Sequence, residues 1–339
     1  MINKSIAILE SLQHPTGLFS ASRKDANTGY NLCWIRDTVY ASLGLEAVKN
    51  TAALRKTYHA LLDIFLKHEY KIDWMISQPQ PKTQFRYIHA RYDPVHMHEI
   101  WEEWGNKQND AIGAVLFKIG ELENKGIRLI RDSNDLRILQ KLVNYLEAIH
   151  YWHDKDNGMW EENEEVHASS VGACVAGLKA IGKIDGITVP QKLIQDGQDA
   201  LNKLLPRESE TKDVDLALLS LVYPYNIINP QQREEILKNV EERLARNKGI
   251  VRYPGDRYYN ENGAEAEWTF GFPWLAIIYK QLNNPEKYAY YTQKTLEAMN
   301  EKGEMPELYY GNTNKCNENT PLAWGQALCI VAMETTLVV

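Results

Sequence analysis

Apolar residues recur three and four positions apart along most of the chain. Val171, Cys174, Val175, Leu178 and Ile181 form one such stripe. Leu139, Leu142, Val143, Leu146 and Ile149 form another. This is the period of a helix that buries one face. Asn229-Pro230 and Asn284-Pro285 each supply a capping side chain followed by proline at the first helical position. After the first of these, Ile236, Val240 and Leu244 continue the stripe. The pattern predicts about twelve helices. They fall near 3–12, 36–49, 52–68, 110–122, 133–152, 167–182, 190–205, 212–222, 230–247, 268–282, 285–299 and 321–336. Period-two runs are sparse, no sequence repeat is evident, and no linker is rich in Gly, Ser or Pro. The expectation is an all-α chain forming one domain over 1–339.

Polar and aromatic clusters are unevenly distributed among these helices. "YNLCWIRD" leads into the second, "WEEWGNKQND" into the fourth and "GMWEENEEVHASS" into the sixth. "LLPRESETKDVD", "VRYPGDRYYNENGAEAEW" and "GEMPELYYGNTNKCNENTP" lead into the eighth, tenth and twelfth. The odd-numbered helices follow short, plain connections. Helices joined by short loops run antiparallel to their neighbours, so all even-numbered helices point one way. Six polar loops then converge on one face, beside helix N-termini whose free N–H groups favour ligand oxygens. An (α/α)6 barrel of six hairpins satisfies this, with its site at the N-terminal ends of the inner helices. An open α-solenoid is the alternative, but such stacks show repeat similarity.

Composition adds to this picture. Nine Trp and nineteen Tyr stand against only six Phe. Trp and Tyr are apolar surfaces that also hydrogen-bond, a character that suits a sugar cleft and, equally, an interface. Net charge is −7, which does not suit a nucleic-acid partner. No run approaches ~20 apolar residues, so no membrane span is expected. Cys33, Cys174, Cys316 and Cys329 show no CxxC spacing, and buried thiols fit a reducing, cytoplasmic compartment.

In "GMWEENEEVHASS", Glu161 follows Trp160 directly. An indole and partial burial disfavour a charged carboxylate, which is how a general acid is kept protonated near neutral pH. Glu162, Glu164 and Glu165 read as a solvated acidic tip, the ordinary fate of a charge run. In "PELYY", Glu307 between a proline and two tyrosines suits water activation, or simply a cap for the next helix. "WIRD" pairs Arg36 and Asp37 after Trp34, as a clamp on sugar hydroxyls or as a first-turn acid opposing the helix dipole. "VRYPGDRYY" offers Arg252 and Asp256, as a sugar contact or a structural ion pair. His96 and His98 form an HxH pair without a third ligand at compatible spacing, so no metal site is expected.

Taken together, these motifs resemble glycoside hydrolase family 15, the glucoamylase family, and most closely the glucoamylase-like N-terminal domain of phosphorylase kinase alpha and beta subunits. "WIRD", "WGNKQNDAIG", "MWEE" and "RYPGDRYY" match family motifs in order. "HASSVGACVAGLKAI", "NKLLPRESETKDVDLALLSLV" and "PELYY…LAWGQAL" are particularly like the phosphorylase kinase form. The resemblance implies an (α/α)6 barrel and an inverting, exo-acting α-glucoside hydrolase that releases β-D-glucose without a cofactor. It places Glu161 as general acid and Glu307 as general base. It places Trp34, Arg36, Asp37, Trp104, Gln108, Asp110, Trp160, Glu162, Arg252 and Tyr309 in substrate binding. Inversion requires water between base and anomeric carbon, hence carboxylates ~6.5–9.5 Å apart. The implied ligand is an α-linked glucan or gluco-oligosaccharide. Two departures stand out: Asn106-Lys107 replaces the family's Arg-Pro, and Leu308-Tyr309 follows the base where Gln and an aromatic are common. The competing expectation is a sugar-binding regulatory module without turnover.

Overall fold

The computed structural model describes residues 2–79, 86–102, 104–261 and 263–334. Six helices form an inner layer: α2 (Ile35–Ala47), α5 (Asn109–Asn124), α7 (Ala168–Ile181), α9 (Leu219–Val222), α11 (Gly271–Gln281) and α13 (Ala323–Met333). Each packs on the next, and α13 returns to α2, which closes the ring. The inner helices are apolar nearly all round; α7 and α13 expose almost nothing, as befits helices with protein on every side. The outer layer is α1 (Ile2–Leu12), α3 (Thr51–Lys67), α6 (Ser133–Ala148), α8 (Gln191–Leu204), α10 (Pro230–Asn239) and α12 (Pro285–Ala298). These are amphipathic. In α8 only Leu193, Gly197 and Leu201 are fully buried. The architecture is the (α/α)6 barrel expected from the alternation of loops, and the even-numbered predicted helices are the inner ones.

Capping sets several helix starts. Asn229 and Gln232 form a reciprocal capping box ahead of Pro230. Asp132, Asn50 and Asn284 cap α6, α3 and α12 with their side chains. Three elements differ from the pattern-based expectation. The helix expected over 212–222 shrinks to a 3₁₀ turn at Leu216–Leu218 and the single turn of α9. Asp215 starts it by accepting from the Ala217 N–H, and Pro224 stands just beyond its end, where a helix cannot continue. The helix expected over 230–247 is α-helical only to Asn239 and continues as a π turn at Val240–Leu244. A further nine-residue helix absent from the pattern, α4 (Glu69–Ser77), follows α3 after His68 alone.

Two short antiparallel ribbons sit at the mouth formed by the inner-helix N-termini. β1 (Cys33–Trp34) pairs with β2 (Arg91–Tyr92), setting Trp34 opposite Arg91. β3 (Glu267–Trp268) pairs with β4 (Leu308–Tyr309), setting Trp268 opposite Leu308. They fix the loops that carry the candidate chemistry.

Candidate active site

A cavity opens at this mouth. Glu161 and Glu307, distant in sequence, both line it, together with Trp34, Arg36, Asp37 and Trp104. Trp160, Arg252, Tyr258 and Trp324 complete much of its wall. Arg36 and Asp37 arrive on the first turn of α2. Trp104 precedes α5, Glu161 precedes α7, Arg252 precedes α11 and Glu307 precedes α13.

Glu161 is held in a left-handed backbone conformation, φ 62°. A bulky residue seldom adopts it, and it persists only where the surroundings enforce it. Gly105 lies against this turn; a Cβ there would meet the Glu161 carbonyl oxygen at 2.4 Å. The carboxylate is bound on both oxygens. Gln108 Nε2 donates to Oε1 at 2.8 Å and Arg36 Nη2 at 3.3 Å. The indole N–H that reaches Oε2 belongs to Trp104. Trp160, the sequence neighbour expected to shelter Glu161, instead donates to Asp215 at 2.8 Å and stacks toward Trp324 within the aromatic wall.

Glu307 is 1% exposed. It sits just ahead of β4, its carbonyl accepting from Thr269 N–H at 3.2 Å and its own N–H donating to Asn319 O at 3.1 Å. Tyr30 donates its hydroxyl to Oε1 at 2.6 Å, and Asn319 and Asn317 donate side-chain amides to Oε2. Burial raises the pKa of Glu307 above the usual carboxylate value, while these three donors pull it back. The structure therefore brings both candidate carboxylates to one cavity and gives each a defined set of donors.

Arg36 organises the other side. Its Nη1 donates to Gln108 Oε1 at 2.7 Å and Asp110 Oδ2 at 3.3 Å, and its Nε lies 3.9 Å from Asp37. Gln108 and Asp110 thus stand behind Arg36 and Glu161 and do not line the cavity. Burial raises Asp37 to about 7 against the pull of Arg36, with Glu161, Glu307 and Asp110 pushing the same way. Arg252 is gripped by Asp256 at 2.7 and 2.6 Å and donates to Glu162 at 2.8 Å. Glu162 also accepts from Lys212 at 2.8 Å and Tyr253 at 2.7 Å. Burial alone would raise its pKa, but Arg252 and Lys212 outweigh that and hold it low. Its side chain is spent on the wall and is not among the cavity-lining groups.

This chain matches the Glycosyl hydrolases family 15 profile over residues 1–336. It belongs to glycoside hydrolase family 15.

Among its relatives, the phosphorylase b kinase regulatory subunit alpha, skeletal muscle isoform, of Oryctolagus cuniculus is 28% identical over 394 residues, covering 94% of this chain and 31% of that protein. The probable phosphorylase b kinase regulatory subunit alpha of Caenorhabditis elegans is 24% identical, covering 95% of this chain and 32% of that protein. The chain spans about a third of the length of these curated relatives. Among solved structures, a glycosidase superposes with a TM-score of 0.82 at 17% identity, covering 98% of this chain and 94% of that one. A variant of a glycosidase in complex with glucose gives 0.82 at 16%, with the same coverage. The glucoamylase of Saccharomycopsis fibuligera gives 0.69 at 15%, covering 98% and 94%. These structural likenesses concern the fold.

Within this family 15 chain several expected positions land differently. Tyr309 does not reach the cavity; its hydroxyl donates to Ala298 O at 3.1 Å. Glu165, expected as a solvated charge, is buried, and accepts from Ser209 and Thr211 hydroxyls at 2.7 Å each. Burial of a charge demands such donors. Glu164 is exposed, as expected. Asn106 accepts from Arg91 Nε at 3.2 Å, and Lys107 is buried against Asp154 at 2.6 Å. The pair that replaces the family's Arg-Pro is thus structural. Tyr30, Tyr258, Asn317 and Asn319 were not singled out from sequence. Only the "RYY" and "NENT" neighbourhoods hinted at the last three, and nothing local marks Tyr30. Among the described residues no helix is long and apolar enough to cross a membrane.

Proposed function

We propose that this protein is an inverting, exo-acting α-glucoside hydrolase that releases β-D-glucose from α-glucans or short α-gluco-oligosaccharides. The observation that carries the reading is that Glu161 and Glu307 line one cavity with the Arg36–Asp37 pair. In this reading the non-reducing-end sugar seats against Trp34, Trp160 and Trp268, with its hydroxyls on Arg36 and Asp37. Glu161 protonates the departing glycosidic oxygen. Glu307 takes a proton from a water that attacks the anomeric carbon from the opposite face, so the configuration inverts. The C–O bond to the leaving sugar breaks as the new C–O bond to water forms. The two carboxylates finish with the opposite protonation states, and one proton returns from Glu307 to Glu161 through solvent. No cofactor is required. Four cysteines without a disulfide among them support a cytoplasmic setting.

Glucose release from maltose, maltotriose, isomaltose and trehalose tests the proposal. Glu161→Gln and Glu307→Gln should each lower kcat by roughly 10²–10⁴, the usual worth of a general acid or base. Proton NMR of early product should show the β-anomer. Failure of the parent to turn over any of the four substrates would sink the reading.

A second reading has one finding in its favour: the curated relatives are kinase regulatory subunits. In it the same cavity binds a gluco-oligosaccharide without cleaving it. Saturable maltose binding by calorimetry, with no glucose released, would select it.

A further inference from the structure

Large apolar side chains exposed to solvent are few among the described residues, and they are not scattered. They are Tyr70, Trp74, Val95, Trp101, Trp104 and Tyr290. Five of these six lie within residues 70–104. None is Leu, Ile or Phe. Residues 86–102 and 104–107 fold back on one another, with His89 bridged to Lys107 and Tyr92 to Glu99. Trp101 and Trp104 ride on the returning limb of that fold. α4, the helix with no counterpart in the twelve-helix pattern, supports it from below. The Lys71 Nζ lies 4.6 Å from the Trp101 ring centroid, and the His89 ring stands 5.5 Å away. On α4 itself Tyr70 and Trp74 meet edge to face at 5.1 Å.

One end of this set is already part of the site. Trp104 lines the cavity and donates to Glu161. Beneath it the buried Arg91 guanidinium lies 4.9 Å from the Trp104 ring and 5.6 Å from the Trp34 ring. Arg91 Nη2 is buried and unpartnered. The charges under the rings are internally balanced: Lys71 pairs with Glu99 at 2.6 Å and Arg91 with Glu102 at 3.5 Å. Such a surface offers flat indole and phenol faces with hydrogen-bonding edges above paired charges. It suits a neutral, hydroxyl-rich polymer whose rings present apolar C–H faces, and it does not suit a polyanion. Exposed aromatics gathered in one part of the chain in this way mark interaction sites.

We propose that Trp104, Trp101, Trp74 and Tyr70 form a binding track for a polymeric α-glucan, continuing from the cavity rim onto α4. The proposal rests on the sugar-cleaving reading of the cavity and extends it: the preferred ligand is a chain long enough to leave the pocket.

Affinity gel electrophoresis in gels cast with soluble α-glucan tests it, using the Glu307→Gln protein so that the polymer is not consumed. That protein should be retarded. Adding Trp74→Ala and Trp101→Ala should weaken the apparent Kd for glucan about tenfold, with circular dichroism and the thermal midpoint retained. Tyr70→Ala, which removes a ring from the far end of α4, provides a second variant should the double substitution unfold. In the active protein, the ratio of kcat/KM on soluble glucan to that on maltose should fall by a similar factor. Absence of retardation, or retardation that survives the ring deletions, overturns the track. So does a change of sedimentation behaviour in the ring-deleted protein with glucan binding intact, which would make this face an interface between copies. Retardation lost on ring deletion, in a protein that releases no glucose from any substrate, would sink the hydrolase reading and leave the track standing.

Discussion

At the residue scale, the candidate base is the group with the more informative surroundings. Glu307 is buried, and Tyr30, Asn317 and Asn319 all donate to it. Each donor favours the charged form, against burial. Removing the Tyr30 hydroxyl therefore raises the pKa of Glu307 further. The base must be ionised to work, so activity is lost on the acid side of that pKa. Tyr30→Phe should move the acid limb of the kcat/KM profile to higher pH, by up to about one unit, with a loss below about tenfold on the plateau. A limb that stays in place would show that another group governs it. Asp37 gives a second expectation. Its pKa is raised to about 7, chiefly by burial. A raised carboxyl contributes stability that is complete below its ordinary value near 3.8 and is lost as pH rises through about 7. Asp37→Asn should flatten the fall of Tm between pH 4 and pH 8, and be the more stable protein at pH 8. It should also lose roughly tenfold to a hundredfold in kcat/KM, the worth of a charged hydrogen bond to substrate. Glu161, Arg36 and Asp37 were legible because they stand in short motifs with a chemical rationale. Trp104 acting on Glu161 was not, because the adjacency of Trp160 in sequence says nothing of where the indole N–H points.

At the element scale, the helices were read well where one face is apolar and the other polar, as in α6 and α8. The reading also held for inner helices such as α7, whose apolar run is nearly continuous. It failed where tertiary structure overrode local pattern. α9 is one turn because Asp215 and Pro224 bracket it. α4, nine residues long, is too short to show a stripe, with Ile72 and Met75 its only fully buried apolar residues. The loops carrying the candidate site residues reach one end of the barrel as expected, because connection length fixes direction: short links force antiparallel neighbours. What periodicity does not reveal is how closely two inner helices approach. α5 and α7 meet backbone to backbone at Gly113, where a Cβ would stand 2.4 Å from the Ala173 carbonyl carbon. No side-chain rotation relieves that clash. Gly113→Ala should therefore cost about 1–3 kcal/mol or more, read as a lowered Tm and a lowered denaturation midpoint. A substitution without effect on either would mean that the two helices separate easily, and that the ring is held mainly by its other seams.

At the scale of the whole molecule, the barrel has two unlike ends. The inner-helix N-termini surround the cavity with aromatics and carboxylates. The C-terminal ends of α2 and α5 carry a partly buried ionic cluster instead, away from that cavity. Lys118, 2% exposed, reaches Glu46 at 2.5 Å and also bonds Glu121. Lys125 reaches both glutamates at 3.0 Å. Cations suit this end, where the helix carbonyls point outward. Burial alone would raise Glu46, but Lys118 and Lys125 outweigh it and hold the carboxyl down to about 2. A depressed carboxyl contributes stability above its unfolded pKa, ordinarily near 4.5, and that contribution is lost as pH falls through about 2. Lys118→Met keeps most of the side-chain volume but leaves Glu46 and Glu121 with Lys125 as their shared cation. It should cost about 1–3 kcal/mol at pH 7, since both carboxylates lose their more buried charged donor while keeping Lys125. The deficit relative to the parent should shrink as pH drops below about 4.5, because the two carboxylates then take up protons and no longer need the second cation. Glucose release measured at a temperature where both proteins are folded should be little changed, because none of these groups lines the cavity. A Tm deficit that stays constant from pH 7 to pH 3 would show that packing, not charge, gives Lys118 its place at this end of the barrel.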